Sequence, residues 1–158
     1  MRDKATMRDA QSSAENCGIR VNSEDVKIFR LENSAGIGAG ASGLALHYYN
    51  AAYRAIAEGR EPPAAPGYKP PGWWAWEDQL HHFVRPQHVF GCTSVTDLRL
   101  WLPSPAGCVA MARAGGLLRE YVAQPWAAMV GITRVYFNPA YAKRLTTQRA
   151  TAIHSGNQ

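Results

Sequence analysis

The sequence predicts an α+β fold: a single domain with a small, mostly antiparallel sheet and three to four helices. A length of 158 residues is typical of one domain, and 46% hydrophobic residues are enough for a core. Short apolar runs of strand type alternate with segments of helical periodicity. We place the domain at residues 24–145, between a flexible N-terminal tail (1–23) and a polar C-terminal tail (146–158).

The first half of this domain predicts one strand and one long helix. Val26–Leu31 is rich in β-branched and aromatic residues, which is typical of a strand. Apolar residues recur at three- and four-residue spacing from Leu44 to Ile56, so we expect an amphipathic helix that ends near Gly59. Residues 61–72 are rich in proline and predict a stiff surface loop.

Two shorter helices are predicted in the second half. A brief strand at Val89–Cys92 leads into a Ser-x-x-Asp pattern that can cap a helix over Val95–Leu102. The prolines that follow end this helix and open another at residues 106–114, which the glycine pair at 115–116 terminates.

Alternating residues predict further strands after the helices. Leu117–Ala123 and Met129–Phe137 are separated by a short connection, so we expect neighbouring antiparallel strands. We expect a helical turn at Ala140–Leu145, before the polar C-terminal tail. Glu120 lies in the first of these strands, where a site could use its carboxylate or where it pairs with Arg119 or Arg134 as an ordinary surface residue.

Positive charge is concentrated toward the C-terminus. The chain carries 17 Lys and Arg against 12 Asp and Glu, yet residues 85–158 hold eight basic residues and only two acidic ones. Arginine suits phosphate and carboxylate groups, so an anionic partner and a solvated basic face are both consistent with this pattern. The candidate partner-binding residues are Arg99, Arg113, Arg119, Arg134, Lys143 and Arg144.

A glycine motif of the G-x-G-x-x-G type spans Gly38–Gly43, between the first strand and the long helix. In a Rossmann unit the first glycine follows the strand directly, and a second strand ends in an acidic residue about 20 residues later. Here Glu32–Ile37 intervenes and the proline-rich segment follows. The motif therefore predicts a flexible glycine loop.

No metal site is expected from the histidines and cysteines. His81, His82, His88 and Cys92 lack the paired spacing of structural zinc ligands. The three cysteines, which are Cys17, Cys92 and Cys108, are expected to be reduced thiols packed as small apolar groups. The aromatic cluster of Tyr68, Trp73, Trp74 and Trp76 has two interpretations: stacking on a base or a nicotinamide-type ring, and packing of the proline-rich loop onto the core, which we favour.

Three segments carry a resemblance to a known group of proteins. Phe29–Glu32, Phe90–Leu102 and Arg134–Asn138, in this order, resemble small uncharacterised proteins carried by bacteriophages and prophages. Their layout is in turn similar to a reduced ADP-ribosyltransferase core, although no Glu-x-Glu pair is present.

The transferase resemblance implies NAD as cofactor and assigns roles to individual residues. Arg30 would hold the NAD phosphates or ribose, and Thr93 and Ser94 would line the nicotinamide side. Glu120 or Gln124 would be the third member, so that the implied catalytic set is Arg30, Ser94 and Glu120.

Two hypotheses of function follow from these observations. The first is a phage-type protein of the bacterial host cytosol that resembles an ADP-ribosyltransferase and modifies or blocks a host protein. The second is a non-enzymatic binding protein, an inhibitor of a host defence or nucleic-acid machine, which uses its arginine-rich C-terminal half. Its partner would be a host protein or an anionic assembly such as a nucleoprotein complex, and no membrane is involved.

Overall fold

Two three-stranded antiparallel sheets and four helices make up the computed structural model, which describes residues 23–62, 83–131 and 133–155. This arrangement confirms the predicted α+β class with antiparallel strands, although the strands form two sheets where one was predicted. The described residues form four helices, in line with the three to four expected. None of the helices formed by the described residues has the length and apolar character that crossing a bilayer requires.

The first sheet has the strand order β1-β3-β6, and its central strand is β3. The strands span β1 Val26–Glu32, β3 Leu117–Ala123 and β6 Ala142–Arg149. β1 and β3 pair over their whole length, with Arg30 opposite Arg119. Because residues directly opposite each other point to the same face of a sheet, these two arginines share a face.

The second sheet has the order β2-β5-β4, with strands of three residues each. They are β2 Val89–Gly91, β4 Ala128–Val130 and β5 Val135–Phe137. The predicted long strand Met129–Phe137 beside β3 is therefore wrong. The backbone N–H of Gly131 donates to the carbonyl of Arg134 at 2.8 Å and closes a turn, which divides that segment into the hairpin β4–β5.

The helices begin and end at residues with suitable local chemistry. They are α1 Ala39–Ser42, α2 Leu44–Ala57, α3 Val95–Trp101 and α4 Pro105–Arg113. The Ser94 hydroxyl accepts the Asp97 N–H at the start of α3, and Ser104 caps α4 in the same way. Gly43, at a φ of +84°, separates α1 from α2.

Two strands of the first sheet, β1 and β3, are covered on both faces. Leu31 and Leu118 point to one face and pack with residues of α2, α3 and α4, among them Tyr48. Ile28 and Tyr121 point to the other face and pack against the second sheet. β1 and β3 therefore lie between a layer of helices and the second sheet.

The C-terminal segment differs from the sequence prediction. Residues 142–149 form β6 and residues 150–154 form a 3-10 turn, where a helical turn (140–145) and a polar tail (146–158) were expected. Ala150 and Ile153 are fully buried, and the Arg99 Nε donates to the carbonyl of Ile153 at 2.6 Å. The apolar pattern missed β6 because all residues of this strand except Ala142 are exposed.

The packing of α4 on α2 depends on a glycine. A Cβ added to Gly107 would overlap with the ring of Tyr48. This ring is 3% exposed, and its hydroxyl accepts the Ser104 N–H at 2.9 Å. We expect Gly107→Ala to lower the free energy of unfolding by about 1–3 kcal/mol, as overpacking does. Gly40→Ala in α1 is the matched control, since nothing lies within 4 Å there. Urea denaturation measures both, and equal stability of the two variants would contradict this packing.

Cys92 and Cys108 are buried free thiols, as the sequence predicted, whereas Cys17 lies outside the described residues. Burial raises the pKa of the Cys108 thiol to about 12, so at pH 8 almost none of it is the reactive thiolate. We expect iodoacetamide to leave Cys108 unmodified in the native protein and to alkylate it in urea. Peptide mass spectrometry provides the readout, and rapid native alkylation would count against the buried environment.

Candidate functional site

A buried carboxylate forms the centre of the candidate site. Glu32, at the end of β1, is only 1% exposed. Its Oε2 accepts the Arg30 Nε at 2.9 Å, and its Oε1 accepts the Arg119 Nη1 at 3.1 Å. The hydroxyl of Tyr121 also donates to Oε1. The alternation of β1 and β3 brings the four side chains to one face of the first sheet.

Tyr121 is a persistent donor in this cluster. Burial raises the pKa of its phenol, and the hydrogen bond to Glu32 raises it further. The phenol therefore stays protonated at neutral pH and keeps its bond to the carboxylate.

Arg30 is held by backbone groups as well as by Glu32. Its Nη1 donates to the carbonyl of Phe90 at 2.6 Å, and its Nη2 lies 3.5 Å from the carbonyl of Gly36. A Cβ added to Gly38 would lie 2.9 Å from Nη2 of Arg30. The first glycine of the motif thus leaves room for Arg30, and the motif follows an antiparallel strand, which is not the context of a Rossmann unit.

The cluster carries an excess of positive charge. Arg30 and Arg119 are 7% and 6% exposed, and the ion pairs they form with described residues involve the single carboxylate of Glu32. The Nε of Arg119 is buried without a hydrogen-bond partner. Within the described part of the chain, two guanidinium groups and one carboxylate leave one unit of buried positive charge without a paired anion.

A cavity of about 400 Å³ lies beside the cluster. Its polar lining consists of Arg30, Glu32, Tyr121 and Arg144, and its remaining walls are Ala35, Gly36, Val89, Pro139 and Ala142. The guanidinium carbon of Arg144, on β6, lies 5.9 Å from the centre of the Tyr121 ring. The cavity therefore has guanidinium groups on two strands of the first sheet.

The residues of the implied transferase set lie apart from one another. Glu120 points to the face of the sheet opposite Arg30, where it pairs with Lys27 at 3.3 Å and accepts the Thr146 hydroxyl at 3.0 Å. Ser94 caps α3, and the adjacent Thr93 is exposed. The structure thus brings neither Glu120 nor the helix cap into the cluster of Arg30, and the partner of Glu120 is Lys27 instead of Arg119 or Arg134.

Gln124, the other implied third member, is also engaged elsewhere. Its side-chain oxygen accepts the Trp126 indole N–H at 2.7 Å, and the residue itself is exposed. The sequence-derived set therefore contributes only Arg30 to the cavity.

Three of the candidate partner-binding arginines are buried or partly buried and have contacts within the fold. Arg119 is buried in the cluster, and Arg99 is bonded to the carbonyl of Ile153. The guanidinium carbon of Arg134 lies 5.7 Å from the centre of the Trp101 ring and 5.9 Å from the centre of the Tyr136 ring. The exposed members are Arg113, Lys143 and Arg144, to which β6 adds Arg149.

Several of the candidate residues lie in a part of the chain outside the described ranges. His81, His82 and the cluster of Tyr68, Trp73, Trp74 and Trp76 belong to this part of the chain. His88 is buried, and its Nδ1 accepts the Arg85 N–H at 2.8 Å. Within the described part of the chain, no three His, Cys, Asp or Glu residues are grouped as metal ligands.

Removing the charge of Glu32 tests the buried cluster. Glu32→Gln would leave two buried guanidinium groups without a counter-ion, so we expect the free energy of unfolding to fall by about 3–5 kcal/mol. Glu120→Gln is the control, because it breaks a pair with a largely exposed lysine and is expected to cost less than about 1 kcal/mol. Chemical denaturation measures both, and similar losses would mean that Glu32 is not the main counter-charge.

Comparison with known protein families relates the chain to a phage protein family. A family model described as Bacteriophage T4 Y00F protein matches residues 26–151, which include every strand of both sheets and the cavity. No curated protein and no solved structure matches the chain.

Proposed function

The chain belongs to the Bacteriophage T4 Y00F protein family, and we propose that it is a non-enzymatic phage protein that binds an acidic host protein along the free edge of β6. The exposure of this strand is the observation that carries the proposal. All residues of β6 except Ala142 are exposed, although the strand is paired with β3 over most of its length.

The outer edge of β6 offers backbone groups for strand addition. β6 is the last strand in the order β1-β3-β6, and among the described residues no strand pairs with its other side. Such an edge presents a row of N–H and C=O groups that a strand of another protein can extend.

The charges of β6 favour an acidic partner strand. Lys143 lies opposite Val122 and Arg149 lies opposite Leu117, so the two cations point to opposite faces of the sheet. Side chains of an added strand also alternate between faces, and acidic residues on it would therefore reach both cations. A second copy of β6 would instead bring like charges together, and a nucleic-acid backbone lying on one face would reach only one of the pair.

The transferase hypothesis has weaker support. Arg30 is bonded to Glu32 and to the carbonyl of Phe90, and Glu120 faces away from it. A catalytic acid that contacts bound NAD would have to lie in the same cleft as Arg30, the residue implied to hold the cofactor.

Charge reversal tests the role of β6. We expect a Lys143→Glu and Arg149→Glu double variant to lose at least about tenfold in capture of its partner from host lysate at low ionic strength, where steering by charge is strongest. The matched control is Arg54→Glu with Arg113→Glu, which changes net charge equally at two exposed helical positions. Quantitative mass spectrometry of the captured proteins provides the measurement. Equal capture by both double variants, or equal loss, would contradict binding through β6.

The enzymatic alternative has its own readout. We expect no transfer of a labelled ADP-ribosyl group from NAD to host-lysate proteins by the wild-type chain. Label transfer that requires Arg30 would overturn the non-enzymatic assignment, whereas binding of NAD without transfer would leave it intact.

A further inference from the structure

We propose that the cavity between Arg30 and Arg144 binds the phosphate group of a small phosphate monoester. This site goes beyond the proposed function. Its cavity is lined by neither Lys143 nor Arg149, the two cations whose charge reversal tests partner binding at the edge of β6.

The unbalanced charge of the buried cluster is the first reason. A buried charge without a counter-ion is costly, and Glu32 neutralises only one of the two guanidinium groups that contact it. A dianionic phosphate in the adjoining cavity would compensate the excess charge of the cluster together with that of Arg144.

The second reason is that Arg30 has N–H donors left for a ligand. A guanidinium group has five N–H donors, and three from Arg30 are directed to Glu32, Phe90 and Gly36, which leaves two. Arg30 also lines the cavity, and its orientation is already set by these contacts. A donor held in place in this way binds an anion with little loss of conformational entropy.

Glu32 also lines the cavity, and its charge would oppose an incoming anion. Both of its carboxylate oxygens, however, accept hydrogen bonds, from Arg30 on one side and from Arg119 and Tyr121 on the other. The carboxylate therefore works as the acceptor that orients the arginines, and its repulsion of a ligand is screened by the charges it pairs with.

The size and walls of the cavity identify the rest of the ligand. A volume of about 400 Å³ is within the range of small-molecule sites and exceeds the need of a single phosphate ion. Val89, Pro139 and Ala142 provide the apolar part of the lining. A phosphate joined to a small organic group would use both parts of this lining.

Calorimetric titration tests the site with three probes at constant ionic strength, set with chloride: inorganic phosphate, glycerol phosphate and adenosine monophosphate. We expect at least one monoester to bind more tightly than inorganic phosphate. Arg144→Gln is expected to weaken that binding at least about tenfold, as loss of a charged anion ligand does. Lys143→Gln is the matched control, since this neighbour points to the other face of the sheet and should leave the affinity unchanged.

A second variant tests the cavity without altering charge. Ala35 is exposed on the loop and lines the cavity, so Ala35→Trp fills the space without disturbing the core. It should abolish monoester binding while the melting temperature stays close to that of the wild type. Absence of binding by all three probes, or an affinity that Arg144→Gln and Ala35→Trp leave unchanged, would overturn the proposal. Because Lys143→Glu alone, on the other face of the sheet, should bind the monoester normally, a failure of partner capture and a failure of this site are separate results.

Discussion

The carboxylate of Glu32, enclosed by two arginines and a tyrosine, is the interaction on which the arrangement of this protein depends. Through Arg119 and Tyr121 it joins the end of β1 to β3, and through Arg30 it reaches the carbonyl of Phe90 on β2. One buried acid therefore connects the two sheets. Such a group is strongly constrained, because removing it leaves charges that the interior cannot solvate.

The same cluster determines which residues border the cavity. Arg30 is the one residue of the implied transferase set that borders the cavity, and its fixed contacts make it suited to hold an anion in a set position. Glu120 cannot serve there because strand alternation places it on the other face, beside Lys27. A binding role thus agrees with the geometry better than group transfer does.

Local patterns in the sequence were sufficient for much of the fold. β3 was predicted at its observed bounds, and β1 and α2 to within one or two residues at each end, because alternation and helical periodicity are strong there. The cap at Ser94 placed the start of α3 correctly. The site was harder to predict from the sequence. Arg30 was named through a resemblance, whereas Glu32 was not named as a site residue. The Arg-x-Glu spacing could have indicated it, because this spacing in a strand puts both side chains on one face.

The sequence by itself determined the α+β class, most helix and strand bounds and the concentration of basic residues toward the C-terminus, since these depend on neighbouring residues or on composition. Only the tertiary structure decided which strands share a sheet, because pairing joins residues far apart in the chain. β6 was hidden for a related reason: a strand exposed on both faces needs no apolar alternation, and its neighbour β3 supplies the hydrogen bonds that hold it. The β1–β3 register likewise decided that Arg30 and Arg119 share one carboxylate. The excess positive charge that the composition showed only as a total is therefore partly located in this cluster.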